Sequence, residues 1–144
     1  MRAASAGEPD LVALNRDILS AENRHIELSL ERRRVLEEHL ITSAIYAKFH
    51  DETSRISGAD WASLIHELDQ IYDLTNRLRL LSPNLSEIEL RICYLVKIHV
   101  KVTDMAAILC RSVSGVSSIR NRLYAKLTGE RGSTEKLDRI ILDL

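Results

Sequence analysis

The sequence predicts an all-α fold: a long N-terminal coiled-coil helix followed by a compact helical domain with a helix-turn-helix. Three observations predict it. Glycine (5) and proline (2) are scarce in 144 residues, too few for the turns of a many-stranded sandwich or barrel. Apolar residues recur at three- and four-residue spacing, the helix period, over most of the chain. Serines stand where helices should begin, and two of them are followed three residues later by an acid.

The first element is read from about residue 9 to about residue 50. No Gly or Pro occurs from Asp10 to Ser57, and Pro9 suits a first helical turn, where its missing N–H costs nothing. Leu11, Leu14, Ile18, Ala21, His25, Leu28, Arg32 and Val35 fall at heptad positions. A second stripe (Leu19, Ile26, Leu30, Leu36, Leu40) runs alongside. One isolated helix cannot bury two stripes, so a partner is expected. Self-association in a homodimer is the preferred reading; folding back onto the C-terminal half is the alternative. Residues 1–52 form this oligomerisation segment.

Residues 57–82 are read as a connecting helix packed on the C-terminal domain. Ser57 and Asp60 make a capping box, and Trp61, Leu64, Ile65, Leu68, Ile71, Tyr72 and Leu78 supply an apolar face. Trp61, alone on that stripe, belongs to the core. Ser82-Pro83-Asn84 closes the helix. Residues 83–144 then hold four shorter helices. Ser86 and Glu89 cap the first, which runs to about Ile98. The second covers about Thr103 to Cys110. Ser112 caps the third, about Val113 to Leu127, which Thr128-Gly129 ends. Ser133 or Thr134 caps the last, through Leu137, Ile140 and Ile141.

Composition narrows the class. Apolar residues are 45% and charged residues 28%, so the chain is not disordered by composition. Leu (22) and Ile (14) supply the core. The longest apolar run, Met105 to Cys110, is far short of the ~20 residues of a membrane span. The N-terminus lacks the apolar stretch of a secretion signal. A cytoplasmic protein is expected, with no membrane contact within this chain. Cys93 and Cys110, inside apolar segments, are read as reduced core thiols.

Charge is uneven. Residues 1–84 hold 10 basic against 14 acidic side chains, and residues 85–144 hold 10 against 7. A polyanion partner would meet the C-terminal half. There, two amphipathic helices joined by the short turn Cys110-Arg111-Ser112 outline a helix-turn-helix, in which the first helix braces the second across a DNA major groove. Small Ala106 and Ala107 let the helices cross closely, and Val116, Ile119 and Leu123 anchor the second. The opposite face carries Ser114, Ser117, Ser118 and Asn121. An asparagine amide pairs bidentately with adenine, so Asn121 is the leading base-reading candidate. Arg111, Arg120, Arg122 and Lys126 flank the face and suit phosphate contacts. Ser112, at the helix start, completes the DNA-binding residues, beside the free N–H groups of the first turn.

The stretch from Leu85 to Cys93 (LSEIELRIC), with Asp104–Leu109 (DMAAIL), Ser112–Val116 (SVSGV) and Arg120–Leu127 (RNRLYAKL), resembles the LuxR-type helix-turn-helix domain. The resemblance covers about 45 residues. It extends less firmly to Trp61 and to Gly129–Ser133. The arrangement of 40–144 resembles a Bacteroidetes variant in which a coiled coil precedes this domain, often behind a membrane span and helical repeats. This implies either a fragment of a larger regulator or a free-standing relative. The resemblance implies a dimeric transcription regulator reading DNA with Ser114, Ser117, Ser118, Asn121 and Arg122. Two copies would present reading helices about 34 Å apart on one face of DNA. The sequence departs from the family pattern at His99, usually Gly, and at Lys101, usually a capping Ser, where Thr103 is the substitute cap. Ser117 replaces a frequent Lys. No receiver domain precedes the motif, so activation by aspartyl phosphorylation in cis is not expected.

An enzyme is not expected. His25, His39, His50, His66 and His99 are scattered, and no metalloprotease, C-x-x-C, phosphate-loop or nucleophile-elbow motif is present. His50-Asp51-Glu52 are consecutive and point in different directions on a helix, and Cys93, His99 and Cys110 lack ligand spacing. No cofactor and no metal is expected. The competing reading is a helical interaction or dimerisation module whose helix-turn-helix binds no DNA.

Overall fold

A computed structural model describes residues 10–144, so Pro9 and its role at the first turn lie outside the described residues. The elements are α1 (Leu11–Ile41), α2 (Ala44–Phe49), α3 (Gly58–Tyr72), α4 (Leu74–Leu81), α5 (Glu87–Lys97), α6 (Val102–Ile108), α7 (Val113–Thr128) and α8 (Thr134–Leu142). All are helices, as the period and the scarcity of turn residues predict. The described residues divide into two units, one ending at residue 38 and the other spanning 39–144.

In the first unit, Asp10 starts α1: its carboxylate accepts from the N–H groups of Val12 (3.0 Å) and Ala13 (3.3 Å). The first stripe is exposed in the single chain, and so is the second up to Leu30; Leu36 is half-buried and Leu40 buried. Leu11, Leu19, Leu28 and Leu30 are 58–66% exposed. Arg34 bridges Glu31 (2.6 Å) and Glu38 (3.2 Å) on the helix surface, pairs that add a few tenths of a kcal/mol each.

The expected single helix over 9–50 is two helices. Thr42 Oγ1 donates to the carbonyl of His39 (3.1 Å) and Ser43 Oγ to that of Leu40 (2.6 Å), satisfying C-terminal acceptors of α1. Ser43 Oγ also accepts from Tyr46 N–H and caps α2. Adjacent hydroxyls thus offer the backbone an alternative to helix. The expected helix over 57–82 is likewise divided, at Asp73, whose φ of 51° is left-handed. Aspartate tolerates that region better than most residues. The Asp69 carboxylate accepts from Thr75 N–H (2.9 Å) and its hydroxyl (3.0 Å), tying the start of α4 to the end of α3.

The second unit owns the hydrophobic core. Leu64 and Leu68 of α3, Leu74 and Leu78 of α4, Ile92 and Leu95 of α5, Val116 and Leu123 of α7, and Leu137 and Ile141 of α8 are fully buried. Each such side chain contributes about 1.5–3 kcal/mol by leaving water. Trp61 is buried, with its ring edge-on to Phe49 (centroids 5.0 Å) and Arg91 above it (4.8 Å). Cys93 is buried, and burial pushes its thiol up to about 12, a poor nucleophile. Cys110 is exposed, contrary to the core reading, because α6 ends two residues before it.

Both capping boxes form, Ser57 with Asp60 and Ser86 with Glu89. Ser133, of the two candidates, caps α8. The C-terminus of α8 is held by Lys97, whose ammonium lies 4.1 Å from the Tyr72 ring centroid and donates to Ile141 O (3.4 Å) and Leu142 O (2.9 Å). A cation at that end answers both the unpaired carbonyls and the helix dipole.

Candidate nucleic-acid interface

α6 and α7 are joined by four residues, 109–112. The turn is built from hydrogen bonds that the sequence only partly announces. Cys110 N–H donates to Ala107 O (3.2 Å) and Arg111 N–H to Ala106 O (2.9 Å), with Cys110 at φ 55°. This pairing is a Schellman closure, normally centred on glycine. Ser112 then opens α7, its hydroxyl accepting from Gly115 N–H (3.0 Å). α5 ends the same way: His99, at φ 61°, donates its N–H to Val96 O (3.0 Å), and Val100 N–H to Leu95 O (3.0 Å). The glycine that the LuxR-type pattern places at His99 is what this left-handed conformation favours.

Lys101 occupies the cap position of α6 without a side-chain cap bond, and Thr103 lies inside the helix rather than capping it. Ala106 is buried against the core, whereas Ala107 is exposed and does not mediate the crossing. Val116, Ile119 and Leu123 are buried as expected and set the rotation of α7. Ser112, Ser114, Ser118, Asn121, Arg111 and Arg122 are exposed together at the turn and along the outer side of α7; Ser117 is half-buried. Arg122 Nε reaches back to Ser118 O (3.4 Å). Ser112 and Ser114 hydroxyls stand 3.2 Å apart.

Two of the expected phosphate-contacting residues are engaged elsewhere. Arg120 is buried, its side chain only 8% exposed, and its guanidinium donates to Asp138 of α8 (2.5 Å). It follows Ile119 on the inner side of α7 and joins α7 to α8, so it is corrected from a groove-flanking cation to a packing residue. Its Nε is buried without a hydrogen-bond partner among the described residues. Lys126 donates to Asn84 O (2.6 Å) and Glu89 Oε1 (2.9 Å), joining the end of α7 to the start of α5. Lys126 itself stays exposed, so the contact staples α7 to α5 without burying the ammonium. Glu89 is consequently shared: burial pushes its carboxyl up, but the Ser86 N–H and Lys126 outweigh burial and hold it below the usual range.

Val113, 44% exposed at the first position of α7, is an apolar residue beside this face that the sequence assigned no contact role. Its signal was phase: it precedes Val116 by three residues but lies before the helix meets the core. Gly129, at φ 76°, ends α7, and Gly132 lets the chain pass the Tyr124 ring, where a Cβ would sit 1.7 Å from a ring carbon.

Elsewhere in the second unit, a cleft of about 720 Å³ lies between residues 49–56 and α6, with Phe49, Ile56 and Ile108 in its walls and Asp51, Glu52, Arg55 and Asp104 around them. Among the described residues, no group of three or more His, Cys, Asp or Glu is placed to hold a metal ion. No helix among them is long and apolar enough to cross a membrane. No family model, curated protein or solved structure matches the chain.

Proposed function

We propose that the chain is a non-enzymatic, DNA-binding transcription regulator of the cytoplasm, related to the LuxR-type domains it resembles. It pairs through α1 and reads the major groove with α7. The observation that carries the reading is the arrangement of α7. Its apolar side is packed, while Ser114, Ser118, Asn121 and Arg122 stay exposed beside Arg111 and the capped helix start. Short polar groups on a braced helix approach base edges closely, and the free N–H groups of the first turn favour a phosphate. Val113 adds methyl groups suited to a thymine methyl. Arg111 and Arg122 supply phosphate attraction that the buried Arg120 does not.

The test is selection of bound sequences from a random duplex pool, followed by titration of the selected site. Asn121→Ala lowers discrimination between selected and random duplex by roughly 1–3 kcal/mol. Arg122→Ala weakens all duplexes alike and reduces the salt slope by about one ion. Unchanged binding in both variants overturns the orientation of α7.

One observation favours a second reading. With Arg120 buried and exposed Lys126 paired to Glu89, the face retains few uncommitted cations. A helical interaction module fits that face as well. Absence of binding to any duplex at low salt would select it.

A further inference from the structure

α1 presents a seam with a direction. Leu11, Leu14, Ile18, Leu28 and Val35 are 45–66% exposed and fall on one seven-residue repeat with Ala21, His25 and Arg32. We propose that a second copy of this chain covers that seam and that the two α1 helices run antiparallel. The proposal rests on the reading of α1 as a self-pairing helix and adds its orientation.

Flanking charges and core size decide between the two directions. In a parallel, in-register pair, Arg32 meets its own copy in the seam, and so does His25. Asp17 faces the partner's Glu22 on both flanks. The other flanking pairs, Arg24 with Ser29 and Glu31 with Leu36, bring no opposite charges together. Like charges gather and nothing offsets them.

An antiparallel pair removes the clash in the seam. With His25 beside the partner's Leu28, Arg32 packs beside the partner's Ala21, the smallest seam residue, and Ile18 meets the partner's Val35. On the flank, Arg24 faces the partner's Glu31, twice by symmetry. One like-charged pairing remains, also twice by symmetry: Asp17 faces the partner's Glu38 near the outer ends. There Glu38 already has Arg34 at 3.2 Å within its own helix. The pairing also gathers part of the second stripe, Leu19 and Ile26, together with Val12 on the same line of the helix. Val12, Leu19 and Ile26, all more than half exposed, come from both copies to one side of an antiparallel pair. In a parallel pair they lie on opposite sides.

Disulfide trapping in the full chain tests this, with exposed Cys110 changed to Ser and buried Cys93 kept. Chains carrying Ala21→Cys and Arg32→Cys, with tags of different size, are oxidised each alone and after mixing. The expected result is a cross-linked band of mixed size in the mixture and none in either chain alone. Cross-links within Ala21→Cys alone mean parallel pairing and overturn the direction while leaving pairing intact. No cross-link in a sample sedimenting as two copies or more overturns this seam. Sedimentation as a single copy overturns pairing itself. None of these readouts involves DNA, so they are independent of the groove-reading test. As a second measurement, Arg24→Glu weakens association and Arg24→Glu with Glu31→Arg restores it; no rescue overturns the antiparallel flank.

Discussion

α1 and the unit formed by residues 39–144 draw on the same residues, mostly Leu and Ile at helical spacing, yet the two regions bury them oppositely. Leu28 of α1 is 65% exposed, while Leu123 of α7 is fully buried. The difference teaches that hydrophobic periodicity specifies a face, not its cover. In residues 39–144, short helices with caps at their ends bring several faces onto one core. α1 has no break over 31 residues, so it cannot turn a face onto itself. Its stability is therefore bound to whatever covers the seam.

The sharpest way to break this comparison is to cut matching side chains in the two regions. Leu123→Ala opens a cavity in a packed interior and should cost about 2–5 kcal/mol in unfolding free energy, followed by urea titration of the Trp61 fluorescence. Trp61 is the only tryptophan and lies inside that unit, so it reports on it alone.

A smaller effect is expected at the α7–α8 joint. Asp138→Asn leaves the buried Arg120 guanidinium without its counter-charge. The loss should be about 2 kcal/mol, toward the low side for a broken ion pair because Asp138 is over a third exposed. A loss within experimental error would mean that the Arg120–Asp138 pair does not hold α7 to α8.

The third perturbation is pH. The folded Glu89 carboxyl titrates below its ordinary value, so it binds its proton less readily folded than unfolded. Its stabilisation is complete above the ordinary carboxylate range and is lost as pH falls through the depressed folded value. Glu89→Gln should cost about 1 kcal/mol at neutral pH, as removal of a cap partner does, and should flatten stability between neutral and acid pH. An unchanged acid limb would show that the Ser86–Glu89–Lys126 cluster does not hold the unit.

The smallest effect sharpens the comparison from the other side. Leu28→Ala, on the exposed seam, should leave the Trp61-monitored transition within about 0.5 kcal/mol of the parent. A larger change would mean that the first unit supports the second.

What the sequence determined by itself was local. The helix class, the capping boxes at Ser57 and Ser86, the caps at Ser112 and Ser133, the end at Gly129 and the inner face Val116/Ile119/Leu123 all depend on neighbours within a few residues, and they were legible. The breaks at Ser43 and Asp73 were not, because hydroxyl and carboxylate groups ended those helices without glycine or proline. Cys110 and His99 hid two Schellman turns for the same reason. Tertiary structure alone decided the fate of the cations. Arg120 and Arg122 are near neighbours in sequence, and both looked solvent-facing. Packing of α8 against α7 brought Asp138 to Arg120, and the approach of α5 brought Glu89 and Asn84 to Lys126. A charge finds its partner across the fold, over distances that periodicity within one helix does not encode.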